Sequence, residues 1–165
     1  MLIFAPDARA HTVDRVAAIV GDQVVLLGEV REAAAPELAA IHETDALARA
    51  RAEAKALHDA CERIIDVILI EAEAARLKIE VTPDEVERAI GAIAKEHSMT
   101  EAAVMRTAAD QGYDEARYRA FLRVELLRGK ILQLRRPDPA KLDEASASLS
   151  SELRDRTYVE DRLAP

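Results

Sequence analysis

Two strand-like segments at opposite ends of the chain constrain its fold most, because the sequence between them is typical of helix. The first comprises residues 13–20 and 23–27, which flank Gly21-Asp22. β-branched runs around a Gly-Asp pair predict a hairpin with a type II′ turn, in which the glycine adopts a positive φ. The second comprises residues 157–163. Since an isolated hairpin is only marginally stable in water, we expect the C-terminal strand to pair with it and close one domain.

The composition predicts a mainly α protein. A chain of 165 residues fits one domain with a sizeable core. Alanine, leucine, glutamate and arginine are abundant, whereas there are only 5 glycines and 6 prolines. The net charge of -8 argues against nucleic-acid binding through a phosphate-neutralising face. No segment is long enough to span a membrane.

The helical region has clear start and stop signals. Thr82-Pro83-Asp84-Glu85 predicts a helix start with a capping box and proline at the first helical position. Gly112 is placed to end one helix, and Asp114 to cap the next. The remaining predicted helices cover residues 29–40 (interrupted or restarted near Pro36), 45–78, 101–111 and 141–156, and the helix after Asp114 must stop before Pro137. We therefore predict a single helical domain of about six helices with a small antiparallel sheet.

Residues 1–12 have features of a targeting segment. Residues 2–5 are apolar, and Ala8-Arg9-Ala10 has the small-x-small form of a signal-peptidase site. A charged start is missing and the apolar run is short. One interpretation is the remnant of a signal peptide that begins upstream of Met1; the alternative is a disordered N-terminus.

The sequence offers no recognisable catalytic or cofactor motif. The four histidines lack metal-ligand spacing, and the glycines are too scattered for a phosphate-binding loop. His58 and Glu62 lie one helical turn apart, which we interpret as an exposed i,i+4 contact rather than a metal site. Cys61 is the single cysteine, and its position predicts a small buried side chain rather than a nucleophile. We expect no metal, no cofactor and no enzymatic centre.

One region concentrates most of the large flexible or aromatic side chains. Such side chains suit adaptable apolar contact with varied partners. The alternative is that they fill the core beneath a helical hairpin. The candidate binding residues are Met99, Met105, Tyr113, Tyr118 and Phe121.

The order of these patterns resembles SurA-type periplasmic chaperones. The resemblance begins with the hairpin and the helix that follows it and includes the capping box at Thr82. It covers nearly all of the chain from Val13 to Leu163. Each segment alone is only weakly specific for the family, but the order and spacing of the segments together are more specific. The segments that carry it are residues 13–20, 24–26, 29–30, 65–72, 77–79, 82–86, 89–94, 111–113, 118–127 and 152–159.

The resemblance implies a chaperone core without the enzymatic part of the family. Family members insert parvulin-type prolyl isomerase domains between the N-terminal helical part and the closing helix. Here these parts would be residues 13–136 and 141–163, and the short linker 137–140 replaces the insertion. The expected function is an ATP-independent periplasmic chaperone for unfolded outer-membrane or secreted polypeptides. The alternatives are a dedicated interaction protein or accessory subunit and, last, a degenerate prolyl isomerase.

Overall fold

The structure, a computed structural model, describes residues 14–135 and 138–163. The interpretation of residues 1–12 as a signal-peptide remnant therefore lies outside the described residues. So do Val13, at the start of the predicted hairpin, and Pro137, in the predicted linker.

The described part of the chain is mainly α, as predicted, with seven helices and three short strands. The predicted helix over 29–40 is divided at Ala34, because Pro36 has no N–H to continue the hydrogen-bond ladder. The other helix starts and ends agree closely with the capping signals. In chain order the elements are β1 (Val16–Val20), β2 (Gln23–Leu26), α1 (Leu27–Ala33), α2 (Ala35–Ala39), α3 (Ala46–Leu77), α4 (Pro83–Glu96), α5 (Glu101–Asp110), α6 (Glu115–Arg135), a 3-10 turn (Pro139–Lys141), α7 (Leu142–Arg156) and β3 (Val159–Asp161).

The three strands form one antiparallel sheet with β1 in the centre, in the order β2-β1-β3. Val20 pairs with Gln23 on one side and with Val159 on the other. Gly21 adopts a φ of +61°, which supplies the predicted turn, and its N–H donates to the carbonyl of Tyr158 at 2.8 Å. The predicted return of the C-terminus to the N-terminal hairpin is confirmed.

The main core is built around α3, which packs against the sheet and α1 as well as against α6 and α7. Apolar residues at 3.6-residue spacing predict one core stripe along this helix, formed by Leu57, Cys61, Ile64, Ile65, Ile68, Leu69 and Ala72. The prediction is correct for Cys61, Ile65 and Leu69, which are buried. It is wrong for Ala72, which is exposed, whereas Ile70 is buried outside the predicted stripe. A helix with neighbours on more than one side buries more than a single stripe, and this accounts for the difference.

A second, smaller hydrophobic cluster lies between α4, α5 and the first half of α6. Its buried members are Val86, Ile90, Ala94, Val104 and Leu122. The predicted capping box holds the start of α4: the Glu85 N–H donates to Thr82 Oγ1 at 3.3 Å, and the Thr82 N–H donates to Glu85 Oε2 at 2.9 Å. The same helix, α6, therefore contributes to both hydrophobic clusters.

A buried carboxylate connects the C-terminal helix to the rest of the core. Glu73 of α3 is only 5 % exposed and accepts hydrogen bonds from Arg76 at 2.7 and 2.9 Å. Its carboxylate also lies 3.4 Å from a guanidinium nitrogen of Arg156 in α7 and 3.8 Å from one of Arg135 in α6. The hydrogen bonds from Arg76, followed by the charges of Arg156 and Arg135, lower the pKa of Glu73.

Candidate functional site

Three of the five predicted binding residues form an aromatic cluster at the start of α6. Tyr113 lies in the α5–α6 loop, while Tyr118 and Phe121 lie one turn apart on α6. The ring centroid of Tyr113 is 6.5 Å from that of Tyr118 and 5.9 Å from that of Phe121, and the last two are 6.4 Å apart. These separations are typical of favourable aromatic contacts. The rings therefore form one continuous group.

The aromatic cluster is only partly covered by the protein. Phe121 is 46 % exposed and Tyr113 38 %, whereas Tyr118 is half-buried and packs against the second hydrophobic cluster. Met105 of α5 is also half-buried and packs against that cluster. Met99 lies in the α4–α5 loop and is 38 % exposed. Tyr118 and Met105 thus contact the second hydrophobic cluster, whereas Phe121, Tyr113 and Met99 are exposed to solvent.

The α5–α6 loop that carries Tyr113 is held by backbone geometry and by α2. The Tyr113 N–H donates to the Ala108 carbonyl at 3.0 Å. Gly112 adopts a φ of +88°, the left-handed conformation that is common just after the C-terminus of an α-helix. A Cβ at Gly112 would lie 2.8 Å from Cγ of Pro36, so only glycine fits between the loop and α2. Asp114 then caps α6 by accepting from the Arg117 N–H at 2.8 Å. These contacts fix the position of the Tyr113 backbone relative to α6.

Ion pairs flank the aromatic cluster. Arg119 of α6 donates to Glu87 of α4 at 2.7 Å and to Glu115 on its own helix. The hydrogen bond from Arg119 lowers the pKa of Glu87, and the two carboxylates raise the pKa of Arg119. Arg117 pairs with Glu32 of α1 at 2.5 Å. The charged residues next to Tyr118 in the sequence, Arg117 and Arg119, are therefore already paired with carboxylates.

A groove of about 530 Å³ between α3 and α7 is a further surface concavity that the sequence did not indicate. Ile65 and Leu69 are the apolar residues of its lining. Arg154 of α7 donates to both oxygens of Glu62 at 2.6 and 2.7 Å beside it. Because this groove forms only when α7 packs on α3, no local sequence pattern could have predicted it.

Cys61, the single cysteine, has the properties of a structural residue. Its side chain is fully buried in the main core, as the sequence predicted. Burial, together with the negative charges of Asp161 and Glu62, raises the pKa of the thiol to about 11. A buried, protonated thiol is a poor nucleophile.

Sequence comparison identifies a family over most of the chain. A sequence model of the SurA N-terminal domain matches residues 13–132. No parvulin domain is indicated within the 165 residues. None of the curated proteins compared with the chain matches it significantly. Among the described helices, none combines the length and the apolar character needed to cross a membrane.

Proposed function

Because the chain belongs to the SurA N-terminal domain family, we propose that it is an ATP-independent periplasmic chaperone for unfolded outer-membrane or secreted polypeptides. The SurA N-terminal domain is a non-catalytic chaperone module, and the family is periplasmic. The proposed binding surface consists of Met99, Met105, Tyr113, Tyr118 and Phe121. The observation that carries the proposal is the exposure of Phe121 and Tyr113 in one aromatic group.

The geometry of this surface suits a chaperone better than a site for one rigid ligand. Phe121 and Tyr113 offer apolar faces, and Met99 adds a flexible thioether side chain that adapts to different partners. Tyr118 and Met105 pack against the second hydrophobic cluster, and Tyr118 also contacts both exposed rings. An extended polypeptide loses conformational entropy when it binds, so affinity for any single segment should be modest.

The charge of the chain supports the same proposal. A net charge of -8 keeps the surface outside the aromatic cluster strongly hydrated. A complex that covers the apolar segments of a client while presenting this acidic surface would stay dispersed. The proposed action requires no nucleotide.

The proposal is tested by aggregation of a denatured outer-membrane β-barrel protein, followed by light scattering after dilution from urea. We expect the chain to suppress scattering at stoichiometric amounts. The double variant Phe121→Ala/Tyr113→Ala should need several-fold more protein for the same suppression. Leu134→Ala is a matched control, because Leu134 lies on the same helix, is 64 % exposed and is outside the aromatic cluster. No suppression by the wild-type chain at several-fold excess would contradict the proposal.

Two further measurements separate the proposed function from its alternatives. A dedicated interaction protein would form one stable complex on pull-down and would not protect unrelated unfolded proteins. A prolyl isomerase would accelerate cis–trans exchange of a proline-containing peptide, whereas we expect the uncatalysed rate. The first result would replace the proposal with a dedicated interaction protein, and the second would overturn the expectation that the chain has no prolyl isomerase activity.

A further inference from the structure

Asp161 is a carboxylate on the inner face of the sheet, where an apolar residue would be expected. It pairs with Ala18 across β1 and β3, and Ala18 is fully buried. The Asp161 side chain is only 11 % exposed and faces α3 at the turn that contains His58 and Glu62. Burial of a carboxylate is costly unless the charge is compensated. The placement of Asp161 therefore calls for a partner.

The sequence predicts an exposed contact between His58 and Glu62, but Glu62 pairs with Arg154 instead, and the side chains of His58 and Glu62 are each only 34 % exposed. Together with Asp161 they place three potential metal ligands at this contact between α3 and β3. One ligand atom each from His58, Glu62 and Asp161 lies within 4.8 Å of the other two. His58 Nδ1 and Asp161 Oδ2 are 3.3 Å apart. Two ligands bound at about 2.0–2.1 Å to a tetrahedral Zn²⁺ ion are separated by about 3.3–3.4 Å. The separation of the imidazole nitrogen and the carboxylate oxygen thus already matches one edge of a tetrahedral zinc site.

The same two atoms are buried without a hydrogen-bond partner. In residues 14–135 and 138–163, His58 Nδ1 and Asp161 Oδ2 are the buried side-chain polar atoms for which no hydrogen bond forms. They face each other at 3.3 Å, which is an ion pair when the imidazole is protonated, but the contact does not meet the geometry of a hydrogen bond. Buried polar atoms without partners are uncommon in folded proteins, and a bound ion is one established explanation. This observation is independent of the spacing of the ligands.

Neighbouring groups orient the two carboxylates. Asp161 Oδ1 accepts from the Leu163 N–H at 2.7 Å, and the Cys61 sulfur lies 4.0 Å from that oxygen, so Oδ2 is left for His58. Arg154 donates to both oxygens of Glu62, and each oxygen keeps a further lone pair. Hydrogen-bonded carboxylates of this kind are usual around protein metal sites, where the outer groups hold the ligands in position.

We propose that His58, Glu62 and Asp161 bind a Zn²⁺ ion that joins α3 to β3. An imidazole nitrogen with two carboxylates suits zinc, whereas Mg²⁺ and Ca²⁺ prefer sites made of oxygen atoms alone. A three-ligand site leaves the fourth tetrahedral position to solvent. Because β3 closes the domain, the ion would attach the C-terminal strand to the core. This proposal does not depend on the chaperone function.

The test is isothermal titration calorimetry of the full chain with ZnCl₂. We expect binding with a 1:1 stoichiometry, and His58→Gln, Glu62→Gln and Asp161→Asn should each lower the affinity at least about tenfold. His42→Gln and His97→Gln are matched controls and should bind as the wild type does. Zinc at a hundred times its Kd should raise the Tm by about 5–10 °C.

A second measurement uses the unaltered protein, so that a poorly folded variant cannot obscure the answer. In nitrogen–proton NMR correlation spectra of the histidine rings, the resonances of the His58 imidazole should shift on addition of zinc. The resonances of the His42 and His97 rings should stay unchanged. Absence of 1:1 binding would overturn the proposal. So would wild-type affinity in folded His58→Gln, or a shift at another histidine in place of His58.

Discussion

Truncation of Leu149 tests whether the C-terminal helix is an integral part of the core. Leu149 of α7 is 0 % exposed and belongs to the main core. Leu149→Ala would remove buried carbon atoms and leave a cavity, and buried Leu→Ala changes cost about 2.7–5.0 kcal/mol. Leu142 lies at the start of the same helix and is 48 % exposed. Leu142→Ala is therefore the matched control, with an expected cost within about 0.5 kcal/mol.

Urea denaturation followed by circular dichroism at 222 nm measures both variants. We expect Leu149→Ala to lower the free energy of unfolding by about 3 kcal/mol, with an unchanged dependence on urea concentration. In a chain of this size, that loss corresponds to a fall in Tm of about 6–12 °C. A loss below 1 kcal/mol, or equal losses in both variants, would refute the assignment of α7 to the core.

Four further predictions concern stability and reactivity. Gly112→Ala should cost about 1–3 kcal/mol in urea denaturation, because φ is positive there and the new Cβ would meet Pro36. Thr82→Ala should cost about 1 kcal/mol in the same assay through loss of the capping box. Glu73 has a lowered pKa in the folded state, so the stability that its charge contributes is complete above the ordinary pKa of 4.5 and is lost as the pH falls through the folded-state pKa. Glu73→Gln should therefore cost about 1–3 kcal/mol at pH 7. It should also make the Tm fall less steeply as the pH is lowered. Cys61 should react with iodoacetamide at pH 8 only after unfolding, because the thiol is buried and its pKa is about 11; rapid labelling of the folded chain would contradict this.

Local signals in the sequence were sufficient to predict most element boundaries. The capping box at Thr82, the positive φ at Gly112 and the hairpin turn at Gly21 are each determined by a few adjacent residues. Pairing of the terminal strand with the hairpin followed from the marginal stability of two strands alone. The turn and the helix caps depend on residues that are close together in the sequence.

Contacts between distant segments could not be predicted in the same way. Glu73 lies within α3, and only the packing of α6 and α7 brings Arg135 and Arg156 to it. Asp161 joins His58 only after β3 has paired with β1. Periodicity likewise failed at Ile70, which is buried because α3 has neighbours on more than one side.

The central proposal is that the aromatic cluster of Tyr113, Tyr118 and Phe121 holds unfolded polypeptides. The most direct test places a photoreactive benzoylphenylalanine at position 121 and, as a control, at position 134. Leu134 is the more exposed of the two residues, at 64 % against 46 %, but it lies outside the cluster. We predict crosslinking of an unfolded outer-membrane β-barrel protein at position 121, little at position 134, and none with the folded barrel. Equal crosslinking at both positions, or none at position 121, would contradict the proposed binding surface.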